Sequence, residues 1–401
     1  MKMFYYRVES YIIASEVLIP ALGEAMTTIP ADSKGTILGK SLGLTGMRDL
    51  MPTSHQGEPI KGLMQLFLNP METNQALINV DCLQSIGMLK SLSGALRLNI
   101  LGLGDVGSHL LIGLKLMGGD VLESIGIFDL NPKQIQRYCL EVNQIYTETF
   151  GNDVEIKGID QANLFDCDVF VFTASAFVPP VNVVDQDVRM AQFEANSKIV
   201  QLYAKQAREK GFKGIFAVVS DPVDLLCTVV YETSNRNEQG VWDGQGLSNQ
   251  QVFGFGLGVM HARAKYYAKK HSEYAAYLEE GAIFGPHGKE LVVVQSTDHY
   301  DENLSLRLTQ LTTEANIRVR ELGFKPFIAP AYSSAALSLL AFLKGETAHV
   351  ASYLDGVFFG AKCKRTSFGI QYHQIPYHAM IHERLKKTKE ALEKAYRERQ
   401  L

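Results

Sequence analysis

The segment Leu98-Asn-Ile-Leu-Gly-Leu-Gly-Asp-Val-Gly107, followed by Ile125-Gly-Ile-Phe-Asp129, constrains the fold more than anything else in the chain. It reads as a short apolar strand, a glycine-rich turn, a helix, and a second apolar strand ending in an acid. Gly102 permits the tight turn. Gly104 removes a side chain where a pyrophosphate approaches the backbone, and Gly107 lets the helix pack closely on its strand. The helix opening at Asp105 and Val106 offers free N–H groups and a partial positive charge to phosphates. Asp129 lies about 20 residues beyond Gly107, where an acid hydrogen-bonds an adenine ribose. A Gly-x-Gly-x-x-Gly alone is a weak signal. With strand, helix and acid in this order it predicts a dinucleotide site, against a glycine-rich turn of some other α/β protein.

The chain around this turn keeps the same rhythm. Short apolar runs at Leu96–Leu101, Ser124–Phe128, Val169–Thr173 and Ile215–Val219 suit parallel strands buried on both faces. Helical patterns lie between them, near 105–118, 132–149 and 186–210, which is βαβ alternation. The polar, glycine-rich stretch 235–249 reads as a loop. A long helix is predicted over 250–275, a strand at Leu291–Val294, helices near 301–322 and 332–344, and β-prone segments over 348–371. Arg384–Gln400 predicts an amphipathic helix whose charges form a solvated face. Residues 1–95 show weak periodicity and no chemical motif, with Phe4–Ile13 a candidate strand. Their apolar residues, including Phe4, Tyr5, Tyr6 and Ile12, predict that they pack on the rest of the chain.

Composition narrows the class further. A length of 401 residues with 46% apolar content leaves room for one large or two medium domains. A net charge of −4 gives no general attraction to nucleic acid. The five cysteines are scattered, with no Cys-x-x-Cys pair. That pattern is neither a disulfide framework nor a zinc site, and it fits a reducing cytoplasm. Tyr11–Met26 is broken by Glu16 and Glu24, so it is too short and too charged to span a membrane and makes a poor signal peptide. His299 follows Thr297-Asp298 but no neighbouring cluster completes a metal site, so none is expected.

Four more motifs follow the glycine turn in a fixed order. They are Phe172-Thr-Ala-Ser-Ala176, Val219-Ser-Asp-Pro-Val-Asp224, Gly256-Leu-Gly-Val-Met-His-Ala-Arg263 and Gly285-Pro-His-Gly288. Together with Gly102–Gly107 they resemble the lactate/malate dehydrogenase family. Its counterparts read Thr-Ala-Gly-Ala, Ser-Asn-Pro-Val-Asp, Gly-x-x-x-Leu-Asp-x-x-Arg and Gly-Glu-His-Gly. The resemblance is distant and covers roughly residues 96–395. It implies an α/β fold: a doubly wound parallel-sheet Rossmann domain over 96–233, an α+β substrate domain over 234–401, and an N-terminal extension over 1–95. It also implies NAD as cofactor, with Thr173 and Ala174 beside it. NAD is favoured over NADP because Asp129 repels a 2′-phosphate and Leu130, Asn131 and Pro132 supply no arginine to receive one.

The resemblance further implies roles for three side chains. His287 takes the place of the acid/base that exchanges a proton with the substrate oxygen while hydride moves at C2. Arg263 takes the place of the guanidinium that forks onto the substrate carboxylate. Arg189, seven residues before Asn196, has the spacing of the mobile-loop arginine that polarises the reacting carbonyl. The loop Phe177–Asn182 before it is unlike the family's. His261 adjoins Met260, but on a helix it points about 100° away from it, so His287 is the preferred base.

Two departures stand out. The acid that orients the family's histidine is here Met260, and the Asn before Pro-Val-Asp is here Asp221. Asp221 can supply the anion that Met260 lacks, or contact a cationic group on the substrate, or mark a site without catalysis. The reading is therefore an NAD-dependent oxidoreductase of a small 2-hydroxy or 2-oxo acid. It is cytoplasmic and homo-oligomeric, with a small-molecule carboxylate as partner and no nucleic acid or membrane. A non-catalytic NAD-binding or sensor protein on the same fold is the alternative. An NAD-dependent hydrolase like the family 4 glycosidases would need a metal held by Cys and His, and no cysteine lies beside Asp221 or His287.

Overall fold

The computed structural model describes residues 94–147, 152–176, 186–366 and 369–398, with short pieces of the first 93: 4–8, 11–15, 24–26, 36–38, 51–53, 63, 66–67 and 78–79. Side chains of the first five strands and of residues 186–191, 366 and 369 lie outside that description. Strands β1 (Phe4–Val8), β2 (Tyr11–Ser15), β3 (Thr36–Leu38) and β4 (Met51–Thr53) pair into one sheet. β5 (Ile78–Asn79) pairs elsewhere.

The nucleotide half then runs β6 (Leu96–Leu101), α1 (Asp105–Met117), β7 (Leu122–Phe128), α2 (Pro132–Val142), β8 (Glu155–Gly158), β9 (Val169–Phe172), α3 (Gln186–Glu209), β10 (Ile215–Val218), α4 (Val223–Ser234) and β11 (Val252–Gly254). Its strands lie in the spatial order β8-β7-β6-β9-β10-β11, all parallel. This is the doubly wound order, and the direction of winding reverses between β6 and β9. The reason is visible in the sequence. Every residue of Val169–Phe172 and Ile215–Val218 is apolar and buried, so these strands need cover on both faces, and crossover helices provide it. Phe165 packs ring on ring against Phe170 of β9 and Phe216 of β10, which also meet each other.

The remaining elements are α5 (Leu257–Lys270), α6 (Tyr277–Glu280), the hairpin β12 (Ala282–Phe284) and β13 (Val292–Val294), and α7 (Glu302–Glu321). A π-helical stretch, Pro330–Leu337, runs into α8 (Ser338–Leu343), followed by β14 (Ala348–Leu354), β15 (Val357–Thr366), β16 (Gly369–Tyr372) and α9 (Ala379–Arg397). β14 pairs antiparallel with β11 at Gly254 and Ala351, and the sheet continues through β15, β16 and β5 to ten strands. One sheet thus spans both halves.

Several boundaries differ from expectation, each for a local reason. The helix predicted over 132–149 stops at Val142, because the Asn143 amide bonds both Cys139 O (2.9 Å) and Ile156 O (2.8 Å) and turns the chain toward β8. The helix predicted over 250–275 starts only at Leu257, because Val252–Gly254 are taken by strand pairing with β10. α4, β8, β11 and β12 were not expected; three are strands of three or four residues, too short to carry a readable period. α9 begins at Ala379 rather than Arg384 and buries Ile381, Leu385, Thr388 and Leu392 on one face.

From the extension, Leu63, Leu66 and Phe67 are buried in the main core. Ile375 N donates to Leu66 O (3.0 Å), and the Phe67 ring meets Tyr377 and His382 edge-on. These pieces pack as predicted; the side chains of Phe4, Tyr5, Tyr6 and Ile12 lie outside the described residues. Cys139, Cys167, Cys227 and Cys363 are free thiols. Burial pushes Cys167 and Cys363 up to about 12, so neither is a nucleophile near neutral pH. Among the described residues no helix is long and apolar enough to cross a membrane.

Between α5 and β14 the His261 and His349 rings stack at 4.1 Å, and His261 Nδ1 lies 2.9 Å from the buried Tyr277 hydroxyl. Burial, reinforced by Lys265 and Lys362, pushes His261 down to about 4; burial, His261 and Lys362 push His349 well below its usual range. Both rings are neutral in the fold, while the unfolded chain protonates them near pH 6.5. Between those values the unfolded state binds more protons, so stability falls as pH drops from about 6.5 toward 4. Urea midpoints measured from pH 7 to 5 are expected to decline, and His349→Gln to flatten the decline. Parallel slopes for the two proteins would count against this account.

Candidate active site

The parallel strands all end at one edge, and that edge gathers the turns that follow β6, β9, β10 and β11. Gly102 has φ +100°, a conformation that only glycine adopts without strain, and its N–H donates to Phe128 O at 2.8 Å. Both carboxylate oxygens of Asp129 hold the local backbone: Oδ2 accepts from Leu103 N and Oδ1 from Asn131 N, each at 2.8 Å. A Cβ on Gly107 would sit 2.0 Å from Gly102 O, so α1 can begin this close to β6 only with glycine there. The Thr173 hydroxyl lies 2.9 Å from Leu101 O and 2.7 Å from Gly102 O, tying the end of β9 to the turn, and Ala174 follows directly against Gly102.

A Cβ on Gly104, by contrast, would meet nothing within 4 Å. The first amides of α1 at Asp105 and Val106 have no side-chain cap. A bare glycine facing open space, uncapped helix amides and an acid at the end of β7 fit a dinucleotide: the pyrophosphate over Gly104 and the ribose at Asp129. Each oxygen of Asp129 keeps a further lone pair for a ribose hydroxyl.

Two residues widely separated in sequence meet at the end of β10, and a third, Arg263, feels the charge there. His287, in the turn between β12 and β13, places Nδ1 2.9 Å from Asp221 Oδ1. The His287 side chain is 19% exposed and that of Asp221 39%. Gly256 lets this turn approach, since a Cβ there would lie 3.0 Å from His287 Cβ. Met260 is fully buried on α5, and its Sδ lies 3.5 Å from Arg263 Nη1. Burial lowers the Arg263 pKa while the charge of Asp221 raises it, so one carboxylate faces both the imidazole and the field of the guanidinium. Arg189 lies on α3, but its side chain and the loop 177–182 fall outside the described residues.

Asn196 and Ser334 fix this arrangement. Asn196 is fully buried on α3. Its Nδ2 donates to Asp221 O (2.8 Å) and its Oδ1 accepts from Ala176 N (2.8 Å), joining the ends of β9 and β10. Ser334, in the π-helical stretch, donates to Gly256 O (2.7 Å) and accepts from Val259 N (2.8 Å), which holds the first turn of α5. Sequence reasoning used Asn196 only as a spacing mark and passed over Ser334, which stands in an ordinary small-residue run. Among the described residues no group of three His, Cys, Asp or Glu side chains gathers as metal ligands do.

Comparison with known proteins agrees with the fold and its nucleotide-binding half. Residues 96–243 match the family profile of the lactate/malate dehydrogenase NAD binding domain. L-lactate dehydrogenase from Staphylococcus saprophyticus is 28% identical over 197 residues, covering 49% of this chain and 56% of that enzyme. The chain thus spans about half the length of the curated relatives it matches. Among solved structures, the minor L-lactate dehydrogenase of Enterococcus mundtii superposes with a TM-score of 0.60 at 19% identity, covering 77% of this chain and 99% of that one. Malate dehydrogenase of Cryptosporidium parvum superposes with a TM-score of 0.60 at 19% identity, covering 76% and 99%. At that identity the likeness shows the fold alone. Residues 96–243 match the NAD binding domain of the lactate/malate dehydrogenases, and the chain shares the fold of the solved enzymes of that kind.

Proposed function

We propose that this chain is an NAD-dependent oxidoreductase that interconverts a small 2-hydroxy acid and the matching 2-oxo acid. The observation that carries the reading is the 2.9 Å contact between His287 Nδ1 and Asp221 Oδ1, close to Arg263 and at the same sheet edge as the glycine turn. NAD, when bound, supplies or receives the hydride. Gly102, Gly104, Asp105, Val106 and Gly107, with Thr173 and Ala174, form its pyrophosphate side, and Asp129 takes its ribose. His287 gives a proton to the carbonyl oxygen through Nε2, because Nδ1 is turned toward Asp221. Asp221 holds the ring through Nδ1 and so fixes its orientation. Arg263 forks onto the substrate carboxylate and fixes its orientation. Arg189 is assigned to polarise the carbonyl.

Asp221 in this reading replaces the acid that the family carries at the position of Met260. The charge sits at a strand end instead of on the helix, and it faces the same imidazole. The working division is a nucleotide half over 96–233 and a substrate half over 234–401, with residues 1–95 as an extension. We further propose a cytoplasmic homo-oligomer. A non-catalytic NAD-binding protein is the second reading, favoured by the methionine beside Arg263. NADH binding without turnover of any 2-oxo acid would select it.

NADH should bind at least about tenfold more tightly than NADPH, a difference of roughly 1.4 kcal/mol. Fluorescence titration of both checks this, and equal affinities remove Asp129 as the discriminating group. Asp129→Asn should narrow the gap. It is preferred to alanine because it keeps an acceptor for Leu103 N.

Asp221→Asn should slow 2-oxo acid reduction roughly 100-fold, within the range that positioned acid–base groups contribute, with NADH affinity little changed. Adding Met260→Asp should recover part of the loss. Steady-state rates and the pH–rate profile are the readouts. An unmoved profile in Asp221→Asn would remove the compensation argument.

A further inference from the structure

We infer that Lys325, from the substrate half of the chain, is a positioning residue for the cofactor pyrophosphate, and that Asp105 is the counter-charge that holds it when no nucleotide is bound. This rests on the NAD-binding reading of the glycine turn. Asp105 is the first residue of α1, next to the bare Gly104. A carboxylate there is favoured by the helix dipole, but it stands beside the amides that a pyrophosphate needs, and like charges repel. Lys325 Nζ reaches Asp105 Oδ2 at 3.0 Å across 220 residues of chain.

The pair does not hold this segment in place by itself. The Phe327 ring meets the α1 residue His109 edge-on at 4.9 Å, and Tyr332 meets it at 6.1 Å. A Cβ on Gly113 would lie 2.8 Å from Ala336 Cβ and 3.2 Å from the Tyr332 ring, so the π-helical stretch lies directly on α1. Packing therefore keeps Lys325 over the end of α1 even if the ion pair opens. The two side chains are 52% and 40% exposed, so exchanging the carboxylate for a phosphate costs little. An ammonium on a flexible stem suits a phosphate as a point charge. Asp105 balances the charge of Lys325 before the cofactor arrives.

The two residues then have opposite effects, which a purely structural ion pair would not. Lys325→Ala should weaken NADH binding about fivefold to tenfold, and Lys325→Arg should restore most of it. Asp105→Asn should tighten NADH binding about twofold to fivefold by removing the repulsion. ADP-ribose, which keeps the pyrophosphate and lacks the nicotinamide, should show the same two shifts. Titration of the full-length protein and its variants with NADH and ADP-ribose at fixed ionic strength measures all of this, with melting temperature as a control for folding. If the unmodified chain binds NADH and both variants shift affinity in the same direction, or neither shifts it, the assignment of Lys325 fails while the NAD reading stands. If the unmodified chain binds neither NADH nor ADP-ribose, both fail.

Discussion

The structure depends on the parallel pairing of β6 with β9, where the winding of the sheet reverses. Parallel strands must be joined by crossovers, so all their carboxyl ends fall at one edge. At that edge the turn after β6 carries the glycines, the turn after β9 carries Thr173 and Ala174, and the turn after β10 carries Asp221. β9 and β10 in the centre are apolar throughout and buried, so helices cover both of their faces and the edge at their carboxyl ends is open to a ligand. The Thr173 hydroxyl, Asn196 and the Ser220 hydroxyl, which donates to Ala174 O at 2.6 Å, then fasten the turns to one another.

The charge arrangement at the candidate site follows from where a carboxylate can be placed. Met260 is fully buried against Arg263 and brings no charge. Asp221 stands on the adjacent strand end, partly exposed, with His287 on one side and its field reaching Arg263 on the other. A single carboxylate at the end of β10 contacts the imidazole and acts on the partly buried guanidinium, which is the physical ground for the acid–base role proposed for this site.

The two halves of the chain are joined by more than a linker. β14 continues the parallel sheet past β11, the π-helical stretch lies on α1 through Gly113, and Ser334 bonds the first turn of α5. The segment that lies over the nucleotide turn therefore also holds the helix that carries Arg263. The glycine turn and the candidate substrate residues thus rest on the same packed layer.

Much of the nucleotide half was legible from residues 96 to 219, because its signals are local. Glycines at fixed spacing, apolar runs and an acid at the end of a strand are properties of adjacent residues. The motifs around Asp221, Arg263 and His287 were legible one by one for the same reason. What the sequence left open was distance. That His287 meets Asp221 across 66 residues, and Lys325 meets Asp105 across 220, is decided by chain crossovers that carry no local signature. The short strands β8, β11 and β12 were equally out of reach, since three or four residues become a strand only when a neighbour offers its hydrogen bonds. The sequence by itself determined which groups are present and the local form of the glycine turn and the longer apolar strands; only the tertiary structure decided which groups share one edge of the sheet, because the crossovers that bring them within a few ångströms have no local signal.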